Sequence, residues 1–353
     1  MMPFEGKRIV VTGGTGSLGQ TLVRRLLNGA LGMPASVLVF SRDEAKQHDM
    51  RLSFTHRRVA TDDVAYENAQ RLRFQIGDVA DYAALCSALR QSDVVFHAAA
   101  MKQVPTCELF PEQAARTNIT GAENLTRAIR EHAPGVETVV AVSTDKACKP
   151  VNVMGMTKAI QERIMVRANL DSLSTRFVVA RYGNVLASRG SVIPLFHEQI
   201  RRGGPLTLTT PEMTRFLMSL EHAVDTILTA AVEARRGETY IPRLRSARMV
   251  DLAAVLIGNR PIKTQFTGIR PGEKINEIMI SEEEAPRTVE RGDYLAIRPI
   301  LPELREGESG VPFGPDEYSS ADHLLSTGEL SAMLDANGLL LDSQVAGTNA
   351  YVL

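Results

Sequence analysis

Three cysteines, Cys86, Cys107 and Cys148, are all that the 353 residues contain. They are odd in number and not spaced as metal ligands, which excludes a disulfide framework and a zinc site and points to reduced thiols in the cytoplasm. A formal net charge of −1 removes the basic excess that nucleic-acid binding requires. Nowhere do about 18 apolar residues run together, and Met1 to Arg8 lead into an apolar strand without the apolar core and cleavage site of a leader. The expectation is a cytoplasmic protein with no metal, no nucleic-acid partner and no membrane insertion.

What is present is an ordinary globular composition, 44% hydrophobic and 23% charged, in a chain long enough for a large core. Short apolar runs alternate with helical patterns. Ile9-Val10-Val11, Val37 to Phe40, Leu72 to Ile76, Val94-Val95-Phe96, Val139 to Val142 and Phe177-Val178-Val179 have the length and continuity of strands buried on both faces. Leu18, Leu22, Val23, Leu26 and Leu27 fall on one helical face, and further helices fit Glu112 to Glu131 and Met154 to Ala168. The fold class is therefore α/β, a doubly wound parallel sheet. After about Asn184 the pattern turns irregular, with Gly and Pro turns at Arg201 to Pro205 and Arg270 to Glu273.

Thr12-Gly13-Gly14-Thr15-Gly16-Ser17-Leu18-Gly19 stands between the first strand and the first amphipathic helix. There, glycines let the backbone approach a pyrophosphate and the helix N-terminus offers it amides. Thr12, Gly13, Thr15, Gly16, Ser17 and Leu18 are the expected cofactor residues of this turn. After the second strand, Ser41 and Arg42 replace the carboxylate of an NAD-selective protein. Arg42 suits the 2′-phosphate of NADP, although Asp43 is adjacent and a solvated surface arginine remains open. Asp78, followed by Val79, is placed to accept from the adenine amino group or simply to make a turn. Ala98 and Ala99, small residues after His97, leave room for ribose and nicotinamide. His97 itself reads as a hydrogen-bonded core residue. Ser143-Thr144-Asp145-Lys146 ends the fifth strand with an acid and an amine side by side, where charged groups are costly to desolvate without a use.

These segments together carry a resemblance. TGGTGSLG from Thr12, FSRDEAKQ from Phe40, HAAAMKQVP from His97, STDKA from Ser143, RYGNVLASRGSVIP from Arg181, MTRF from Met213 and GIRPGEK from Gly268 resemble the extended short-chain dehydrogenases. Within them, the chain is most similar to the bacterial UDP-N-acetylglucosamine 4,6-dehydratases of capsule, flagellin and protein glycosylation, in their short soluble form, from about Lys7 to Leu340. The resemblance implies a Rossmann domain over 1–184 with returns to it around 216–236, a smaller α/β substrate lobe over 185–340, and a tail over 341–353. It implies tightly bound, recycled NADP, a UDP-N-acetylhexosamine substrate, and a homo-oligomer formed through the helices from Glu112 and Met154. Thr144 would stand near the carbon 4 oxygen of the sugar, with Asp145 and Lys146 as acid and base. Lys158 would hold the nicotinamide ribose, while Lys102, Asn184, Arg215, Arg270 and Glu273 would line the sugar-nucleotide pocket.

Two positions depart from the pattern. Met154 occupies the place of the tyrosine four residues before Lys158, and a thioether carries no proton to exchange. Asn276 replaces a histidine in Gly272-Glu273-Lys274-Ile275-Asn276-Glu277. The implied reaction oxidises carbon 4, removes the carbon 5 proton through a neutral Lys146, and expels the carbon 6 hydroxyl with a proton from Asp145. That requires a lowered Lys146 pKa and a raised Asp145 pKa, whereas an adjacent ion pair pushes both the other way. With Met154 inert, Asp145 or a water relayed through Thr144 is left to deprotonate the carbon 4 hydroxyl. Two other functions use the same residues: a UDP-sugar 4-epimerase, which needs no acid and base at carbons 5 and 6, and a non-catalytic NADP-binding regulator.

Overall fold

Strands with no polar face need cover on both sides, and the chain supplies it. The computed structural model describes residues 2–55, 71–186, 191–305, 310–314 and 316–341. The expected tail beyond 341, and residues 187–190 of the motif that begins at Arg181, lie outside the described residues. Ten strands form the main sheet. In chain order the first six are β1 (Arg8–Thr12), β2 (Ser36–Ser41), β3 (Leu72–Ile76), β4 (Val94–His97), β5 (Thr138–Thr144) and β6 (Arg176–Tyr182). They lie in the order β3-β2-β1-β4-β5-β6, each neighbour parallel. The order reverses between β1 and β4, and at such a switch point the strand ends part to leave a crevice for a ligand.

The remaining strands are β7 (Asn184–Val185), β8 (Leu206–Leu208), β9 (Thr214–Met218), β10 (Thr239–Pro242), β11 (Ser246–Arg248), β12 (Thr264–Phe266), β13 (Ile278–Ile280), β14 (Thr288–Arg291), β15 (Tyr294–Ile297), β16 (Val311–Pro312) and β17 (Tyr318–Ser319). β10 extends the main sheet parallel to β6, and antiparallel β15, β14 and β16 continue it. Among the described residues, four strands after Asn184 therefore join the main sheet. Apart from it stand the pairs β12-β8 and β13-β17 and the three strands β11-β9-β7.

Apolar side chains fill both faces of the sheet. On one, Val11, Leu22, Val39, Phe96 and Val140 meet Ile227, Tyr240 and Leu295. On the other, Val10, Phe40, Val95 and Val139 meet Leu125, Ile129 and Met165. A third cluster, including Phe196, Leu208, Leu252 and Leu334, gives the irregular C-terminal half its own core. Among the described residues no helix is long and apolar enough to cross a membrane.

Helix Val153–Asp171 starts at Asn152, whose side chain accepts from the Gly155 amide at 2.8 Å, as an N-cap should. The helical run expected over Glu112 to Glu131 is interrupted: helix Pro111–Ala115 passes through a π-helical segment, Arg116–Thr120, into helix Gly121–His132. That widened turn aims Asn118 inward, where it bonds both the amide and the carbonyl of Met101 and donates to Thr157 at 2.9 Å.

Candidate active site

At the carboxyl ends of β1, β2, β4 and β5 a cleft of about 560 Å³ opens. It takes in Gly13, Thr15, Gly16, Ser17 and Leu18 from the first turn, Ser41 and Arg42 after β2, Asp78 and Val79 after β3, and Ala98, Ala99 and Lys102 after β4. Thr144, Lys146, Met154 and Lys158 close its other end. Sixteen of the residues expected from the sequence thus share one wall system.

The first turn fits a dinucleotide pyrophosphate. Gly13 has φ +69°, and a Cβ there would lie 2.7 Å from the Ala99 backbone nitrogen, so only glycine lets these two loops meet. Helix Ser17–Leu27 has neither an acidic residue in its first turn nor a side-chain cap. Its leading amides face the cleft without an internal anion to compete. Arg42 is 60% exposed and sits 3.3 Å from Asp78, a solvent-screened contact that leaves the guanidinium free to regroup around a phosphate. Thr12 does not line the cleft. It is fully buried, with Oγ1 2.8 Å from His97 Nδ1 and accepting from the Ala99 amide at 3.3 Å. Burial, with Lys158 nearby, pulls His97 down to about 3, so it is a neutral core histidine that ties β1 to β4.

Lys158 is buried on helix Val153–Asp171, its Nζ 2.6 Å from both the Val142 carbonyl and Gln161 Oε1. Burial draws it down to about 8 against the pull of Glu162. Met154, one helical turn earlier, packs with Cys107 and Ala114 and is 4% exposed.

The acid and amine of β5 separate in an unexpected way. Asp145 is 0% exposed and does not reach the cleft. Its Oδ1 accepts from Thr144 Oγ1 at 2.9 Å and from Lys146 Nζ at 3.0 Å, and its Oδ2 has no protein partner. Lys146 Nζ also donates to Asn184 Oδ1 at 3.1 Å and lies 3.1 Å from Glu277 Oε1. Burial raises the Asp145 pKa, opposed by Lys146 and assisted by Glu277. For Lys146, burial is outweighed by the two carboxylates and the pKa rises. Asp145 thus shifts as the implied chemistry requires. Lys146 shifts the opposite way because Asp145, and with it Glu277, which the sequence reading passed over, outweigh its burial.

The expected substrate residues divide. Lys102 lines the cleft and Asn184 holds Lys146. Arg215 is buried and turned to the backbone, donating to the carbonyls of Thr214, Lys274 and Ile275, with Nε 3.8 Å from Glu277. Arg270 is 59% exposed and 4.0 Å from Glu273, outside the cleft. Asn276 accepts from Thr214 Oγ1 at 2.8 Å, a structural bond. Glu277 and Asn118 are the residues that sequence reasoning missed. Only the acidic end of the Gly272-to-Glu277 motif hinted at the first, and a π-helical turn leaves no pattern to betray the second. Among the described residues no His, Cys, Asp and Glu cluster could hold a metal ion.

Residues 9–299 match the family described as "Polysaccharide biosynthesis protein". The chain belongs to that family. It is an extended short-chain dehydrogenase. Of similar proteins, the UDP-glucose 4-epimerase of Rickettsia bellii is 42% identical over 83% of both chains. The inverting UDP-N-acetylglucosamine 4,6-dehydratase of Campylobacter jejuni is also 42% identical, over 84% of both. The X-ray structure of Pen from Bacillus thuringiensis superposes with a TM-score of 0.85 at 33% identity, covering 96% of this chain and 99% of that one. The dTDP-glucose 4,6-dehydratase DesIV of Streptomyces venezuelae, crystallised with NAD, gives 0.63 at 25% identity over 76% and 86%. Family membership thus comes with two activities at equal identity.

Proposed function

We propose that this family member is a nucleotide-sugar 4,6-dehydratase acting on UDP-N-acetylglucosamine with bound NADP, in the cytoplasm, making a 6-deoxy-4-keto sugar for bacterial surface polysaccharide or glycoprotein. The observation that carries the reading is the linked set Thr144, Asp145 and Lys146 at the end of β5. A 4-epimerase, the activity named for one of the two relatives at 42% identity, oxidises and reduces carbon 4 alone and gives a buried acid and amine no task. The regulator reading leaves them equally idle. A nicotinamide dinucleotide supplies reversible hydride acceptance at carbon 4, and the glycine turn with Arg42 and Lys158 would hold it.

The proton accounting suits elimination. Ammonium and carboxylate are one tautomer of the Lys146–Asp145 pair, amine and carboxylic acid the other, related by a shift along their 3.0 Å hydrogen bond. In the second form Lys146, at the cleft, can remove the carbon 5 proton. Asp145, hidden behind Thr144, can deliver its own proton through Thr144 Oγ1 toward the departing carbon 6 oxygen. Two protons leave the sugar, from the carbon 4 hydroxyl and from carbon 5, and two are returned, to the departing water and to carbon 5 of the product, so the pair ends each cycle as it began. At the preceding oxidation an ionised Asp145, reached through Thr144 Oγ1, takes the carbon 4 hydroxyl proton that Met154 cannot, and this is the proton it later gives to the departing oxygen.

Mass analysis of purified protein with UDP-N-acetylglucosamine, and separately with UDP-glucose, tests the reading. Loss of one water from the former supports it. Isomers retaining all their water would establish the epimerase instead.

A further inference from the structure

Lys146 is held from two sides, and only one of them belongs to its own strand end. Asp145 lies next to it in sequence, whereas Glu277 reaches it from the segment just before β13, 131 positions away along the chain. We infer that Glu277 is the positioning residue for Lys146: with Asn184, its carboxylate fixes where the amine stands at the cleft wall and keeps its charge in place. This inference rests on the reaction proposed above only in giving the amine its task.

The placement of Glu277 is built, not incidental. The side chain is 3% exposed, and a carboxylate does not stay ionised at such depth without cations. Three surround it: Lys146 at 3.1 Å, Arg215 at 3.8 Å and Lys274 at 3.8 Å. The backbone is pinned as well. The Glu277 amide donates to Ser320 Oγ at 2.9 Å, and the Ser320 amide returns a bond to the Glu277 carbonyl at 2.8 Å. Arg215 grips the carbonyls of Lys274 and Ile275, and Lys274 Nζ donates to the Cys148 carbonyl at 2.6 Å, just past the Asp145–Ala147 turn. The loop that delivers Glu277 is therefore anchored to the loop that carries Lys146.

The Lys146 ammonium donates to Asp145 at 3.0 Å and to Asn184 at 3.1 Å and is ion-paired with Glu277 at 3.1 Å, so it is held on three sides. Without Glu277 the amine would lose one of its holds, and Arg215 and Lys274 would face it with one anion fewer.

The test is Glu277→Gln, which keeps an oxygen acceptor and removes the charge. The charged groups around Lys146 are Asp145, Glu277, Arg215 and, through Glu277, Lys274. Deleting one anion from that set must lower the Lys146 pKa, by about one to two units for a charge this close. Lysine-selective ¹⁵N NMR, with Lys146→Arg to assign the resonance, reads this directly and requires no turnover. In kinetics the limb of the kcat profile that depends on Lys146 should move to lower pH by a similar amount, kcat should fall at least tenfold, and Glu277→Asp should restore the wild-type limb. An unmoved Lys146 titration in folded Glu277→Gln overturns the inference even if wild type dehydrates the sugar. A wild type that dehydrates nothing sinks the reaction, while the NMR shift still decides the role of Glu277. Should Glu277→Gln fail to fold, wild-type Lys146 carries the test, and titration below the ordinary lysine value of about 10.4 would overturn the inference.

Discussion

Lys158 Nζ lies 2.6 Å from the carbonyl oxygen of Val142, two residues before Thr144 on the strand that ends in the acid and amine. The lysine proposed to hold the cofactor and the groups proposed to face the sugar are thus set by one strand, and Lys158 is held at the cost of burying an amine that burial pulls down to about 8.

The sign of that cost can be checked. Below pH 8 folded and unfolded chains both carry the proton, and the penalty of a buried charge is fully present. Between pH 8 and the unfolded value of about 10.4 only the unfolded chain stays protonated, so stability rises with pH. Over that window wild type should gain about 3 kcal/mol relative to Lys158→Met, measured by urea unfolding at a series of pH values. The variant should be no less stable at pH 7 and yet bind dinucleotide at least tenfold more weakly. Parallel pH curves for the two proteins would contradict the placement of Lys158.

Gly155 sits where a Cβ would come within 2.2 Å of the Lys146 carbonyl oxygen. The obstacle is backbone, so Gly155→Ala must push the Asp145–Ala147 turn away from helix Val153–Asp171. A displacement of about 1 Å at reacting groups costs roughly 100-fold in rate. We expect kcat to fall by about that factor while dinucleotide affinity, set at the far end of the cleft, changes by less than threefold.

Arg181 binds Glu162 at 2.6 Å and Glu284 at 2.7 Å, all three side chains nearly buried, behind the strand end that carries the site. Ser143 Oγ donates to the same Glu162 at 2.6 Å. Arg181→Met would strand two buried carboxylates and should destabilise the fold by about 3–5 kcal/mol at pH 7. Burial works to raise Glu284, but Arg181 prevails and holds it at about 2. Its stabilisation is therefore present above the unfolded value near 4.5 and is lost as pH falls toward 2. In the variant this acid-sensitive component should vanish, so the gap to wild type narrows between pH 4.5 and 2. A constant gap in denaturation across that range would argue against the arrangement.

The sequence made the nucleotide half of the cleft legible because there the chemistry is local. Thr12 to Gly19, Ser41-Arg42 and Ala98-Ala99 each follow a strand that its own apolar run announces. A parallel sheet then brings their ends together whatever the rest of the chain does. The sugar half depends on long-range contacts. Glu277 meets Lys146 only because Arg215, Ser320 and Cys148 hold its loop in place, and no spacing in the sequence encodes that meeting. The family resemblance places Arg215 along the sugar-nucleotide pocket. In the structure its guanidinium donates to backbone carbonyls, contacts that no sequence spacing announces. Strands β14 and β15 escaped notice because their four-residue runs, Thr288–Arg291 and Tyr294–Ile297, are too short and mixed to stand out.

Met154 closes the cleft as packing. If the thioether takes no part in proton transfer, Met154→Leu, which conserves volume, should keep kcat within about threefold and cost less than about 1.5 kcal/mol. A loss of 100-fold or more with the fold intact would require a role for the sulfur. Steady-state kinetics beside thermal unfolding distinguish the two.

The most direct measurement is incubation of the purified protein with UDP-N-acetylglucosamine in deuterated water, without added cofactor, followed by mass spectrometry and proton NMR. The account predicts a product that has lost one water and carries deuterium at carbon 5, formed by wild type and absent with Lys146→Met. A sugar that keeps all its water, whether unchanged or inverted at carbon 4 with no deuterium incorporated, would contradict it.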